Sequence, residues 1–240
     1  MAVSYMDFSS PYVQFFSDVS HNRFYTKDQA NYINILGVRQ LNTLGNQSLL
    51  DIFLSPGNVV EPHLHQNATE LVYGVSGAMT ISILNPFTSQ IVNQTLLPQQ
   101  AVSIPQGWIH WEVATEDNTH VLAIFDAPAP EYIAISDFLR LAPRNALAHI
   151  YCLNEAQIRE ALAPLTESAL IAPPASCTAC HQAQHWPSPA VPEPRSAPAA
   201  PYAAVGDLNA PYAAPPVRPS GASSGVARPT IGNGLNYGQP

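Results

Sequence analysis

Four residues in the first half of the chain are of types that bind transition metals, and their spacing indicates a shared site. His63 and His65 are one residue apart, Glu70 follows a short polar stretch, and His110 lies downstream in the string IPQGWIHW. Three imidazoles and one carboxylate form a suitable coordination shell for a divalent transition metal. The sequence therefore predicts one metal site with His63, His65, Glu70 and His110 as its ligands.

Strand geometry explains how these side chains can meet. Residues i and i+2 of a strand point to the same face, so the two imidazoles of the string HLH lie on one side. The polar residues 66–69 predict a turn into a second strand that begins at Glu70. Pro105 and Gly107 predict another turn, after which His110 begins a third strand. A lone HxH pair is a weak signal, but four such residues at strand starts are a stronger one.

Two further carboxylates share the strand parity of these ligands. Glu61 has the parity of His63 and His65, and Glu112 has that of His110. Each is a candidate catalytic residue, as an acid, a base or an orienting group, if it points inward beside the metal. The alternative, which residue type alone favours, is a carboxylate at the mouth or on the surface.

The pattern along the chain predicts an all-β domain. Residues 31–128 contain about nine short β-rich runs that are separated by turn residues, with no helical pattern between them, as in a sandwich or barrel. Residues 129–171 form a helical segment with two helical strings, SDFLRLAP and LNEAQIREALAPL, and Asn154 is suited to cap the second. We expect residues 1–30 to be an irregular arm rich in aromatic side chains.

The last part of the chain differs in composition. Residues 172–240 contain 14 of the 24 prolines and only five charged residues, and the string APYAA occurs twice. Such a composition predicts a low-complexity disordered tail, partly polyproline II. The tail also contains the string CTACH, which begins at Cys177 and fits the pattern for c-type haem attachment. We interpret this string as incidental, with an accessory metal or redox role as the alternative.

Charge and hydropathy narrow the classes of partner. Residues 1–171 carry 15 acidic and 6 basic residues, a formal charge of −9, and they contain no run of Lys or Arg. We therefore expect no nucleic-acid partner, because phosphate binding needs basic patches.

No apolar run approaches the length of a membrane span, so no membrane partner is expected. The N-terminus has no basic and apolar pattern of a secretory signal, which predicts a cytoplasmic protein; association with a cell or spore surface is the alternative.

The stretch that carries the predicted ligands resembles the first cupin motif, G(X)5HXH(X)3-4E(X)6G, with Gly57 and Gly77 at its two glycine positions. The second motif, G(X)5PXG(X)2H(X)3N, matches at its proline, at its inner glycine and at the histidine. It departs at Gln99, where glycine is expected, and at Ala114, where asparagine is expected. The strings PHLHQNATE and IPQGWIHW are most similar to germin-like and oxalate-decarboxylase-like (type 1) cupins, over about residues 30–140.

This resemblance implies an all-β cupin jelly-roll β-barrel with the metal inside and short C-terminal helices beside it. The metal implied is manganese first and iron second. Germin-like cupins pair their barrels through such helices, which implies a homo-oligomer formed through the barrel edge and the C-terminal helices. Oxalate decarboxylases have two cupin domains and an Arg three residues before the first ligand His, whereas this chain has one such domain and Val60.

Two functions follow from the resemblance and stay open at this point. The first is a metal-dependent enzyme, an oxidase, dioxygenase or decarboxylase, whose substrate is a small oxygenated organic acid or diol. The second is a non-catalytic, metal-bearing binding protein or a surface or coat structural protein of the germin-like type. A buried Glu61 or Glu112 facing the metal would favour the enzyme.

Overall fold

Two antiparallel sheets make up most of the computed structural model, which describes residues 7–175, Cys177 and Cys180. The strands are β1 Arg23–Thr26, β2 Tyr32–Leu36, β3 Ser48–Leu54, β4 Val59–Leu64, β5 Glu70–Ser76, β6 Met79–Asn85, β7 Gln90–Leu96, β8 Ala101–Ile104, β9 His110–Ala114, β10 Thr119–Phe125, β11 Ile133–Ala134 and β12 Ile171–Ala172. One sheet has the order β1-β2-β3-β10-β5-β8, and the other has the order β11-β4-β9-β6-β7, with β12 also paired to β4. The predicted all-β architecture is confirmed.

The strands follow the period of two that an amphipathic strand requires. In β5 and β10, buried residues alternate with more exposed ones along the whole strand. The buried side chains of both sheets join one apolar core, which includes Ile52, Val72, Ile81, Val121 and Phe125. Removing this apolar surface from water is the main force that holds the two sheets face to face.

Strand pairing brings the predicted ligands to one place. His63 of β4 lies opposite His110 of β9 in the register of one sheet. Glu70 begins β5 in the other sheet, where it pairs with Ile104 and Phe125. The site therefore lies between the two sheets, and each sheet contributes ligands to it.

The other edge of β4 is covered by the chain that follows the barrel. Ile133 and Ala134 of β11 pair with Leu64 and His63, and Ile171 and Ala172 of β12 pair with Val60 and Val59. Three short helices, α1 Ile135–Leu141, α2 Arg144–Tyr151 and α3 Glu155–Ala161, lie between these two pairings in sequence. The segment after residue 128 thus pairs, near its beginning and at its end, with the strand that carries His63.

The helices agree with the sequence in part. Asn154 caps α3 as predicted, since its side chain accepts a hydrogen bond from the backbone N–H of Gln157 at 3.1 Å. Helix α2 was not predicted, because its N-terminal flanking residue is Pro143 and no side chain caps it. None of the helices in the described part of the chain is long and apolar enough to cross a membrane.

The ends of the described chain bear on the predicted boundaries. Strand β1 lies inside the stretch that was predicted to be an irregular arm, and it adds an edge strand to the first sheet. Cys177 and Cys180 form a disulfide. The remainder of the predicted tail, including the His of the CTACH string, lies outside the described residues.

The departure of Gln99 from the cupin pattern has a conformational meaning. Gln99 has a φ of +66°, in the left-handed region that glycine adopts without steric cost. Its backbone N–H donates to the carbonyl of Gly74 at 2.9 Å, which holds this turn against β5. A side chain in this conformation costs about 1–2 kcal/mol. The turn is therefore kept without the glycine, and none of the four ligands is displaced by the change.

Candidate metal centre

The four predicted ligands form one buried cluster. The ligand atoms that His63, His65, Glu70 and His110 offer all lie within 4.8 Å of one another. Each of the four residues is at most 4% exposed. Metal–ligand bonds to nitrogen and oxygen are about 2.0–2.2 Å long, so side chains grouped this closely are near the spacing that one ion requires.

Backbone carbonyls orient all three histidines in the same way. The Nδ1 atom of His63 lies 2.7 Å from the carbonyl oxygen of Glu61, that of His65 lies 2.7 Å from Glu131, and that of His110 lies 2.9 Å from Trp108. A carbonyl oxygen can only accept, so each Nδ1 must carry a proton. Each Nε2 is therefore directed into the cluster as the ligating atom.

Glu70 is the centre of the contacts within the cluster. Its Oε2 atom lies 2.8 Å from Nε2 of His110 and 3.3 Å from Nε2 of His65. Three imidazole nitrogens and one carboxylate oxygen converge here, a donor set that suits a divalent transition metal once the imidazoles are neutral. The residues present fit the metal that the sequence predicts, although they do not decide which metal it is.

The electrostatics of the metal-free cluster reflect the same contacts. Burial raises the pKa of Glu70, but the hydrogen bonds from His110 and His65 outweigh it and hold the pKa below its ordinary value. Burial lowers the pKa of His110, yet its hydrogen bond to Glu70 and the charge of Glu112 raise it to about 9. Burial and the neighbouring His110 lower the pKa of His63 well below its usual range. The carboxylate of Glu70 is therefore ionised, as a metal ligand must be.

Glu112 is a second buried carboxyl group beside the cluster. It is 3% exposed, and its Oε1 atom lies 3.5 Å from Nε2 of His110. Neither of its carboxyl oxygens has a hydrogen-bond partner among the described residues. Burial raises its pKa to about 8. Glu112 thus lies inside the barrel, which its strand parity allows. Both of its carboxyl oxygens can still accept hydrogen bonds there.

Glu61 is also buried, but its carboxylate is occupied by the C-terminal segment. Its oxygens accept hydrogen bonds from the hydroxyl and the backbone N–H of Ser136, at 2.8 and 3.2 Å, and from the backbone N–H of Ala169 at 3.0 Å. Glu61 and His63 are both buried on either side of exposed Pro62, as their parity predicts, while the pairing of β4 with β9 shifts register between Val60 and His63. A catalytic role for Glu61 stays a prediction, and these contacts favour a structural one.

Tyr132 belongs to the site and was not found from the sequence. Its ring stacks on that of His63 with 4.5 Å between ring centroids, and it lies 6.0 Å from the ring of His65. Its phenol oxygen is buried without a hydrogen-bond partner. The string APEYIA has no motif or period that places this side chain, because its position depends on the pairing of β11 with β4.

A family model gives an independent comparison. The model described as Cupin matches residues 21–159, which is more than half of the chain and includes all four ligands. The matched region also reaches from just before β1 into α3.

Plant germin-like proteins are among the relatives of this chain. Germin-like protein subfamily 2 member 1 of Arabidopsis thaliana is 31% identical over 98 residues, which are 40% of this chain and 44% of that protein. The rhicadhesin receptor of Pisum sativum is 31% identical over 137 residues, 53% of this chain and 60% of that protein. This chain thus spans about half the length of the two relatives.

Solved structures show the same fold at lower identity. The structure of oxalate decarboxylase from Bacillus subtilis matches with a TM-score of 0.55 and 21% identity, over 60% of this chain and 37% of that one. The coconut allergen cocosin matches with a TM-score of 0.58 and 18% identity, over 65% of this chain and 42% of that one. These likenesses support the fold.

Proposed function

The chain belongs to the cupin family and is similar to its germin-like members, and on that premise we propose that it is a metal-dependent enzyme. His63, His65, Glu70 and His110 bind one divalent metal. The reaction is an oxidation, dioxygenation or decarboxylation, and the substrate is a small oxygenated organic acid or diol.

The observation that carries this proposal is the unpaired carboxyl group of Glu112. A polar group that is buried without a partner costs about 1–3 kcal/mol, and more if it is charged. A protein that needed only a closed metal site would be more stable with an apolar residue there. The position beside His110 instead provides an acid, a base or an orienting group for a molecule bound in the barrel.

Each residue near the metal has a distinct task in this proposal. The four ligands would hold a divalent ion whose Lewis acidity would polarise an oxygen atom of the substrate. Glu112 holds or accepts a proton at its carboxyl group, close to that oxygen. Tyr132 covers His63 and helps to exclude water from the metal, while Glu61 attaches the C-terminal segment to β4.

Manganese is the metal we propose first, with iron as the second choice. The donor set of three imidazoles and one carboxylate suits either of them. Bacillus subtilis oxalate decarboxylase, which shares the fold, has Mn(II) centres. The oligomer implied by the family stays a proposal, as does a cytoplasmic location.

A binding function is the second candidate. The pea relative of this chain is named as a receptor for rhicadhesin, which favours a role in binding for some proteins of this type. In that case the metal centre would stabilise the barrel, and Glu112 would have no effect on any reaction.

Metal analysis followed by a substrate screen tests the proposal. The purified protein should contain about one equivalent of manganese or iron. It should then convert at least one small organic acid or diol, in assays run with and without dioxygen. Glu112→Gln should lose that activity and keep the metal. Stoichiometric metal with no turnover of any compound would favour the binding protein.

A further inference from the structure

Two groups beside the same histidine cluster carry buried polar atoms that lack partners among the described residues. The Glu112 carboxyl group lies beside His110, and the Tyr132 ring lies against His63. Neither the carboxyl oxygens of Glu112 nor the phenol oxygen of Tyr132 has a hydrogen-bond partner among the described residues. Buried polar groups in folded proteins are almost always paired, so two orphans at one site indicate a missing ligand.

The chemical characters of the two groups are complementary. A phenol carries one O–H donor, and a carboxyl group keeps at least one acceptor oxygen whether or not it is protonated. A molecule that satisfied both would present an acceptor to Tyr132 and a donor to Glu112. A carboxylate supplies the acceptor, and a hydroxyl group supplies the donor.

The charge of the site limits the ligand further. Glu70 and Glu112 form ion pairs only with histidines among the described residues, and no Lys or Arg contacts either carboxyl group. A divalent cation with one ionised carboxylate leaves one positive charge to be balanced. A ligand with one negative charge meets that condition, whereas a dicarboxylate adds a second negative charge next to Glu112.

We propose that the site binds a 2-hydroxy monocarboxylate, with Tyr132 donating a hydrogen bond to its carboxylate and Glu112 accepting one from its hydroxyl group. This inference rests on the proposed function, because it places the ligand beside the metal that the four residues would hold. It assigns Tyr132 as a residue that contacts the substrate, and it narrows the substrate class from organic acids and diols to hydroxy acids.

Lactate and propionate test the inference, because they differ by one hydroxyl group. Each is titrated by calorimetry, without dioxygen, into the full-length protein loaded with Mn(II), and malonate serves as the dicarboxylate. Lactate should bind about tenfold or more tightly than propionate, the factor expected for one hydrogen bond to a charged group. Malonate should bind no more tightly than lactate. Equal affinities for lactate and propionate, or tighter binding of malonate, would overturn the inference.

Two variants assign the contacts separately. Tyr132→Phe should weaken lactate and propionate alike, by about tenfold, because both present a carboxylate. Glu112→Leu should weaken lactate and leave propionate almost unchanged. Tyr73→Phe, on the exposed side of β5, is the matched control and should change neither affinity. Unchanged lactate binding in both site variants would refute the assignment.

Metal content distinguishes this inference from the proposed function. A wild-type protein that takes up no stoichiometric metal would contradict the proposed function itself. A metal-loaded wild type that binds lactate no better than propionate would refute the hydroxy-acid inference alone. The comparison of the two ligands on the wild type decides the matter even if a variant fails to fold.

Discussion

Glu61 and Glu112 occupy two regions of the molecule that differ in how a buried carboxyl group is treated. They lie on the neighbouring strands β4 and β9 and are almost equally buried, at 4% and 3% exposure. Glu61 accepts three hydrogen bonds from the C-terminal segment, at the edge of β4. Glu112 accepts none from the described residues, in the interior beside His110.

The difference shows that burial does not reveal the task of a carboxyl group, whereas its partners do. A carboxylate with three protein donors has its hydrogen bonds satisfied and fixes the chain around it. A carboxyl group with none is costly in the folded protein unless something else binds there. The following predictions test whether the two regions are as separate as these contacts indicate.

The largest expected effect is the loss of the metal from the Glu112 region. His110→Ala or His65→Ala removes one of the four converging ligands, and the purified variant should contain no stoichiometric metal. Glu61→Gln is the control, and it should keep the metal because Glu61 is not among the ligands. Unchanged metal content in both histidine variants, measured by elemental analysis, would contradict the assignment of the site.

The next largest effect is a difference in unfolding free energy between variants of Glu61 and of Glu112. Glu61→Ala should lower the free energy of unfolding by about 3 kcal/mol or more, since hydrogen bonds to a charged group contribute about 1.5–3 kcal/mol each. Glu112→Gln in the metal-free protein should change it by less than about 1 kcal/mol or raise it, because no protein hydrogen bond is lost. Denaturant unfolding of both variants measures the two changes in unfolding free energy. Equal losses would contradict the difference between the two carboxyl groups.

The pH dependence of stability should also come from the Glu112 region. Burial raises the folded-state pKa of Glu112 to about 8, above its unfolded value. Its contribution is therefore fully present below the unfolded pKa and is lost as pH rises through about 8. His110, with its pKa raised to about 9, acts in the same direction. The melting temperature of metal-free protein should fall between pH 6 and 9, and Glu112→Gln should flatten this decline.

The metal should reverse this trend in the loaded protein. Protons compete with the metal for the ligands, so metal-linked stability grows as pH rises. The melting temperatures of loaded and metal-free protein should converge in acid and diverge above neutrality. If the two curves stay parallel from pH 5 to 9, the four residues do not bind the metal.

The smallest effect concerns one of the three contacts of Glu61. Ser136→Ala removes the hydroxyl donor and leaves both backbone donors in place. The loss in unfolding free energy should be about 1.5–3 kcal/mol, the contribution of one hydrogen bond to a charged group, and less than that of Glu61→Ala. Asn93→Ala, which removes a side-chain hydrogen bond to Ser82 on the other side of the sheet, serves as a control and should not affect metal content.

The ligand cluster could be predicted because it depends on local rules. The strand period places His63 and His65 on one face, and turns at residues 66–69 and 105–107 return the chain to the same region. The cupin motif spacing reflects these same constraints. The fold class followed from the alternating runs, which the buried and exposed sides of β5 and β10 confirm.

Long-range contacts were the part that could not be predicted. The Glu61 carboxylate accepts hydrogen bonds from Ser136 and Ala169, which are 75 and 108 residues away in sequence, and no local pattern predicts these partners. Parity counted from the sequence assumes a regular strand and treats Glu61 and Glu112 alike. The contact of Tyr132 with His63 likewise depends on a two-residue strand, β11, that has no pattern of its own.

The backbone carbonyls that hold the three histidines have a consequence for evolution. The acceptors for the Nδ1 atoms belong to the main chain of Glu61, Trp108 and Glu131, so no particular side chain is needed at those positions to aim the imidazoles. Substitutions of these side chains leave the carbonyl acceptors in place, so the imidazoles keep their direction. The geometry of the cluster can thus persist through sequence change at the three positions that aim it.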